Sequence, residues 1–182
     1  MVKFNMRLDP RTQPVELILS DVDGVLTDGG VIFDNQGIEI KRFHIRDGLG
    51  IRLWQKAGYQ FGVLTARTSH IVKVRMQELG VSLVRQGFEE KLPVALEMMK
   101  QLKLAPEQVC YIGDDLTDLP VMQHVGFPVA VADAAEEVRT RAAYVTQLGG
   151  GQGAVREAIE AVLKGKKRWD DLVQKYLAGP GK

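Results

Sequence analysis

Apolar residues along the chain fall into short runs separated by longer stretches of mixed polarity. Val15 to Leu19, broken only by Glu16 and bounded by turn residues, reads as a buried strand. Tyr59–Leu64, Val81–Val84, Val109–Ile112, Pro128–Val131 and Tyr144–Val145 read the same way. Helical patterns lie between them. Gly48–Ala57 carries Leu49, Ile51, Leu53 and Trp54 and is closed by Gly58, and Ser69–Leu79 stops at Gly80. Lys91–Leu102 places Leu92, Ala95, Leu96 and Met99 on one face. Leu119–Val125, Ala135–Ala142, Ala154–Leu163 and Arg168–Tyr176 complete the helices. One feature interrupts the alternation: Val31–Phe33 and Ile38–Phe43, joined by Asp34-Asn35-Gln36-Gly37, predict a β-hairpin. Strands alternating with helices predict an α/β fold, a three-layer, Rossmann-like, doubly wound and mostly parallel sheet.

At 182 residues the chain fits one domain with a substantial core. Hydrophobic content of 45% and charged content of 26% are ordinary for a globular protein, and a net charge of +1 gives no reason to expect nucleic acid or membrane binding. No apolar run approaches membrane-spanning length, and residues 1–14, read as a poorly ordered lead-in, carry no apolar leader, so a cytoplasmic protein is expected. Cys110 is the only cysteine; inside Val109-Cys110-Tyr111-Ile112 it is a core thiol, not a nucleophile.

The chemistry gathers at strand ends. Asp21 and Asp23 follow the first strand at i and i+2, with Gly24 where the chain must turn. Two carboxylates that close repel unless a cation or shared proton intervenes, and oxygen ligands without His or Cys suit Mg²⁺. By itself this pattern is equally well an acidic turn. Thr65 ends the next long strand, Lys91 opens a helix, and Asp114, Asp115 and Asp118 follow the Val109 strand. In a doubly wound sheet these ends converge on one crevice. A carboxylate pair, a hydroxyl, an ammonium and a second carboxylate group together describe a phosphoryl-transfer site.

Asp21-Val22-Asp23-Gly24-Val25-Leu26-Thr27-Asp28, Thr65, Lys91 and Gly113-Asp114-Asp115-Leu116-Thr117-Asp118 resemble, in order and context, the four motifs of the haloacid dehalogenase superfamily. Phe43-His44-Ile45-Arg46-Asp47-Gly48, Gln86-Gly87 ahead of Lys91, Val129-Ala130-Val131-Ala132-Asp133-Ala134 and Gly150-Gly151-Gln152-Gly153-Ala154-Val155-Arg156-Glu157 are similar to capless 3-deoxy-D-manno-octulosonate 8-phosphate phosphatases, from about Glu16 to about Gly165. The resemblance implies a Mg²⁺-dependent phosphatase acting on an acidic sugar phosphate through an aspartyl phosphate. It makes Asp21 nucleophile and metal ligand, and Asp23 general acid/base and backbone metal ligand. Thr65 and Lys91 become phosphate holders and Asp114 a metal ligand, with Asp115 and Asp118 orienting Lys91 and the metal waters. His44, Ile45, Arg46, Asp47, Gly48, Arg52, Arg67 and Arg75 match substrate-contacting positions, as does Lys91. Ala66 in place of glycine and His44 in place of asparagine depart from the pattern and bear on substrate identity. The alternatives are a nine-carbon ulosonate 9-phosphate as substrate, or a non-catalytic tetramerising module of sugar-nucleotide synthesis, against which the intact motifs argue.

Asp21 and Thr65 stand 44 positions apart (65 − 21), Thr65 and Lys91 only 26 (91 − 65), so neither gap holds a cap domain. An uncapped site lies open to water, which weakens its electrostatics. Another subunit is expected to cover it. The hairpin at 31–43, which an isolated ribbon cannot bury, would mediate that assembly, a homotetramer in the family it resembles. Several residues have plainer readings. His70 and His124 read as surface positions, Trp54 and Trp169 as packing residues, and residues 164–168 as a solvated junction leading into a C-terminal helix and tail at 164–182. Arg67 and Arg75, eight apart, can share a helix face.

Overall fold

The fold grows from its first strand, Leu17–Ser20 (β1), whose four residues are all buried. A computed structural model describes residues 9–178. The strands are Ile32–Phe33 (β2), Glu39–Ile40 (β3), Gln60–Thr65 (β4), Leu83–Gln86 (β5), Val109–Gly113 (β6), Phe127–Ala130 (β7) and Tyr144–Val145 (β8). The helices are Ile45–Lys56 (α1), His70–Glu78 (α2), Lys91–Leu102 (α3), Leu119–Met122 (α4), Glu136–Arg139 (α5), Ala154–Gly165 (α6) and Trp169–Leu177 (α7). Six strands form one sheet in the order β5-β4-β1-β6-β7-β8, and every neighbouring pair is parallel. The α/β doubly wound expectation holds. β1 sits between β4 and β6, with Leu19 facing Gly62 on one side and Tyr111 on the other. The chain moves outward to β5 and then returns to the far side of β1. That reversal opens a crevice beyond the carboxyl ends of β1 and β6, where the carboxylates stand.

The differences from the sequence reading have local causes. Helix α1 starts three residues earlier than expected, because His44 Nδ1 accepts a hydrogen bond from Arg46 N and caps it. The helix carries two glycines, both at close contacts: a Cβ on Gly48 would lie 2.5 Å from Arg75 Nη2, and one on Gly50 would lie 2.9 Å from Arg156 Cδ. Strand β5 starts late because Val81 N donates to Met76 O, so that residue completes the exit from α2. On α3 the buried face is Lys91, Val94, Ala95, Met98 and Met99, whereas Leu96 is exposed. A buried lysine among the apolar positions rotates the helix away from the face that hydrophobicity alone selects.

Residues 1–8 of the expected lead-in lie outside the described residues. Residues 9–14, expected to be loose, are pinned: Pro10–Thr12 form a 3₁₀ turn capped by Asp9, and Gln13 Nε2 donates to Gly165 O. The junction at 164–168 is likewise more than solvated surface. Lys166 Nζ donates to Gln13 O at 2.7 Å and Val15 O at 2.8 Å and lies over the Tyr59 ring. Trp54 and Cys110 are core residues as expected, and His70 and His124 are exposed.

Strands β2 and β3 pair antiparallel, Ile32 with Ile40 and Phe33 with Glu39, outside the main sheet. Each is only two residues long. Asp34 Oδ1 closes the turn by accepting from Gln36 N and Ile38 N, and Gly37 takes φ +76. Val31, Ile32, Phe33, Ile38 and Ile40 remain 50–56% exposed, as the hairpin pattern implied.

Candidate active site

Four strand-end segments meet at the crevice. Asp21 follows β1 directly, and its backbone N donates to Ile112 O of β6, which ties the two strand ends together. The residue is 7% exposed. Its Oδ1 accepts from Val22 N at 2.7 Å and its Oδ2 lies 2.8 Å from Lys91 Nζ. Lys91, at the start of α3, is 2% exposed and bridges Asp21 to Asp118 Oδ1 at 2.6 Å. Asp118 is fully buried and has four donors: Lys91 Nζ and Tyr111 OH on Oδ1, Asp114 N and Asp115 N on Oδ2. Thr65, 2% exposed at the end of β4, accepts from Arg67 N.

Burial and the Asp118 charge push the Asp21 carboxyl up to about 6, with Lys91 opposing. Burial, then Asp118 and Asp21, raise Asp114 to about 8. Burial works to lower the Lys91 ammonium, but its two carboxylates outweigh it and hold the group above its ordinary value.

Ligand oxygens of Asp21, Asp114 and Asp118 lie within 4.8 Å of one another. Asp118 has no capacity to spare, since both its oxygens are engaged. Asp114 Oδ1, by contrast, is buried with no hydrogen-bond partner among the described residues. An orphaned carboxylate oxygen beside a second carboxylate, both raised in pKa, fits a hard divalent cation held by Asp21 and Asp114. Gly24 permits the approach: at φ +90, a Cβ there would lie 2.0 Å from Asp114 Oδ2. Gly150 packs beneath that turn, where a Cβ would lie 1.8 Å from Gly24 O, and Gly150 N donates to Asp133 Oδ1 at 2.9 Å. The glycine run is thus a floor for the Asp21 loop.

The Asp23 side chain turns away from that cluster. Its Oδ1 is paired with Lys41 Nζ, while its Oδ2 is 4.0 Å from Arg67 Nε. Arg67 Nη2 donates to Glu39 Oε1 at 2.9 Å and Ser69 Oγ to Glu39 Oε2 at 2.6 Å. The hairpin of the same chain therefore reaches the crevice. The alternation of charged Glu39 and Lys41 with apolar Ile38 and Ile40 is the sequence signal that could have placed them there. Tyr111 had no such signal, because its hydroxyl is hidden in an apolar strand.

Several expected site residues lie elsewhere. Asp115 is exposed and accepts from Leu116 N, so it caps its own turn and does not touch Lys91. Arg67 precedes the Ser69 cap of α2 and shares no helix face with Arg75. Arg75 pairs with Glu78 and lies over the Phe43 ring, and Arg52 donates to Glu78 O. Ile45, Gly48, Arg52 and Arg75 line a separate cleft of about 280 Å³. Arg46 is exposed and faces a larger cavity of about 660 Å³ beside α6. Asp47, 1% exposed, turns inward: its Oδ1 accepts from Arg156 N at 2.7 Å and caps α6, and burial pushes its carboxyl up to about 6. His44 keeps a capping role despite replacing the asparagine expected there.

The model of haloacid dehalogenase-like hydrolases matches residues 89–159. The curated 3-deoxy-D-manno-octulosonate 8-phosphate phosphatase KdsC of Escherichia coli K12 is 41% identical over 161 residues, 88% of this chain and 86% of that protein. The chain belongs to the 3-deoxy-D-manno-octulosonate 8-phosphate phosphatase family. A crystal structure of this phosphatase from Yersinia pestis superimposes with a TM-score of 0.87 at 41% identity, covering 88% of this chain and 86% of that one. The Moraxella catarrhalis phosphatase, crystallised with a magnesium ion, a phosphate ion and a KDO molecule, gives 0.89 at 36% identity, covering 91% and 95%. The haloacid dehalogenase resemblance and the phosphatase assignment therefore hold, and Mg²⁺ is the family's metal in a solved relative. No helix among the described residues is long and apolar enough to cross a membrane.

Proposed function

We propose that the protein hydrolyses 3-deoxy-D-manno-octulosonate 8-phosphate to the free sugar acid and inorganic phosphate in a Mg²⁺-dependent reaction. The observation that carries the chemistry is the Asp21–Lys91–Asp118 chain beside the orphaned Asp114 oxygen. Family membership at 41% identity supports the substrate. Asp21 attacks phosphorus and the bond to the sugar oxygen breaks, leaving an aspartyl phosphate. Asp23 gives a proton to the departing oxygen and then takes one from the water that hydrolyses the acyl phosphate. Lys91 and Thr65 hold the phosphoryl oxygens, and Asp118 holds Lys91. Asp21, Asp114 and the Asp23 carbonyl would hold Mg²⁺, which when bound supplies charge neutralisation for the phosphoryl group. Arg67 Nε lies 4.0 Å from the acid/base carboxylate, and its guanidinium suits the sugar carboxylate.

The reading extends to assembly. The crevice is uncapped, and five exposed apolar side chains on the hairpin invite a second copy, so a homotetramer in which a neighbour covers the site and brings Ile45, Arg52 and Arg75 toward the substrate accounts for both. The compartment proposed is the cytoplasm, where charged sugar phosphates are held. To test the function, phosphate release with Mg²⁺ is measured for eight- and nine-carbon ulosonate phosphates and an unrelated hexose phosphate. The eight-carbon substrate should be fastest, and Asp21→Asn should lower its turnover by about three orders of magnitude or more, about 4 kcal/mol in barrier. Equal rates on all three substrates, or a tenth of the activity left in Asp21→Asn, would overturn the assignment.

A further inference from the structure

The hairpin has two faces with different chemistry. Ile38 and Ile40 point outward and are 56% and 50% exposed, while Glu39 and Lys41 point the other way. The Lys41 side chain is 1% exposed, although it comes from an otherwise open ribbon. An ammonium is not left in such a place without anionic partners, and Lys41 has two: Asp23 Oδ1, and Glu39 Oε1 at 3.4 Å. Glu39 in turn holds Arg67 and Ser69.

The effect on Asp23 is geometric. With Oδ1 engaged by Lys41, the carboxylate cannot rotate freely, and the other oxygen is held on the side of Arg67. That oxygen, Oδ2, is buried and has no hydrogen-bond partner among the described residues, and neither does Arg67 Nε facing it. At 4.0 Å the two are too far apart to bond directly. The gap is framed by a free acceptor on one side and a free donor on the other, which is where an oxygen that is both donor and acceptor would sit.

We propose that Lys41 is a positioning residue for the reaction: it fixes the Asp23 carboxylate so that Oδ2, and not Oδ1, exchanges the proton with the leaving oxygen of the sugar. This rests on the reading of Asp23 as proton donor. The role is supplied in cis by a hairpin whose opposite face is open for assembly. Whatever covers Ile38 and Ile40 also steadies Lys41.

The test uses the dependence on leaving group. A sugar alkoxide needs the proton as its bond to phosphorus breaks, whereas nitrophenolate departs without it, and kcat/KM reports steps through that cleavage only. Lys41→Met should lower the ratio of kcat/KM for the sugar phosphate over nitrophenyl phosphate by about 10- to 100-fold, the range for a misplaced proton donor. The fall should lie in kcat, with KM for the sugar phosphate within about threefold, and Lys41→Arg should restore most of the ratio. Asp23→Asn, measured alongside, should lower the same ratio at least as far. Circular dichroism and thermal melting establish that each variant is folded. If Lys41→Met does not fold, Lys41→Gln takes its place with the same expectation. An unchanged ratio in Lys41→Met beside a lowered one in Asp23→Asn overturns the positioning role and leaves the role of Asp23 standing. An unchanged ratio in both overturns the reading of Asp23 as well. Equal losses on the two substrates, or a Lys41→Arg variant as impaired as Lys41→Met, would also overturn the proposal.

Discussion

Replacing Asp118 by asparagine removes one charge and exchanges one acceptor for a donor at a position with no solvent access. The carboxylate now accepts from Lys91 Nζ at 2.6 Å and Tyr111 OH at 2.7 Å on one oxygen, and from Asp114 N at 2.9 Å and Asp115 N at 3.3 Å on the other. An amide cannot satisfy both pairs. With its carbonyl toward Lys91, its NH₂ faces two backbone donors; turned over, it faces an ammonium. Breaking a buried ion pair from one side costs about 3–5 kcal/mol, and each stranded donor about 1–3 kcal/mol. Relief of the Asp118–Asp21 repulsion offsets part of this, and Lys91 keeps Asp21 as a partner. We therefore expect a loss of about 3 kcal/mol in urea unfolding, at the low end of the buried-pair range. Catalysis should fall about 100-fold in kcat/KM, because Lys91 then has one anchor in place of two. Asp115→Asn is the control. It is exposed, and asparagine caps a turn as well as aspartate, so its stability should stay within about 0.5 kcal/mol of wild type. A loss below about 1 kcal/mol for Asp118→Asn would refute the view that this carboxylate anchors the site.

Two further expectations follow from the geometry. Asp114 at about 8 and Asp21 at about 6 both lie above the ordinary carboxylate value of 3.8, so the metal-free fold is favoured by their protonated forms. That contribution is complete below about pH 4 and is lost as pH rises through about 6 to about 8. Mg²⁺ competes with these protons, so the rise in Tm on adding it should be larger at about pH 8 than at about pH 6, and a rise independent of pH would contradict the ligand set. Ile40→Asp, on the exposed face of the hairpin, should yield folded monomers by sedimentation that lose activity mainly on the sugar phosphate; a monomer with wild-type kcat/KM would show that each chain holds a complete site.

What the amino-acid sequence determined by itself was whatever depends on short range. The alternation of buried strands and helices follows from hydrophobic periodicity, and it put Asp21, Thr65 and Asp114 at strand ends, where a doubly wound sheet gathers ligands. The turn chemistry of Asp34 to Gly37 likewise announced the hairpin. Tertiary structure decided the rest, because the deciding contacts join residues far apart in the chain. Asp47 lies in a stretch that reads as substrate-binding, yet it bonds the backbone of Arg156, 109 positions away, and caps a helix. Arg67 and Arg75 have helical spacing, but the helix begins at His70, after its Ser69 cap, and leaves Arg67 outside it. Asp115 and Asp118 are equally acidic in sequence; the fold buries one under Lys91 and Tyr111 and leaves the other in water. Lys41 looked like one more polar residue of a ribbon until the hairpin folded back 18 positions onto Asp23. Periodicity tells which side of an element a residue occupies, but only packing tells what stands on that side, and the charge of a site depends on the second.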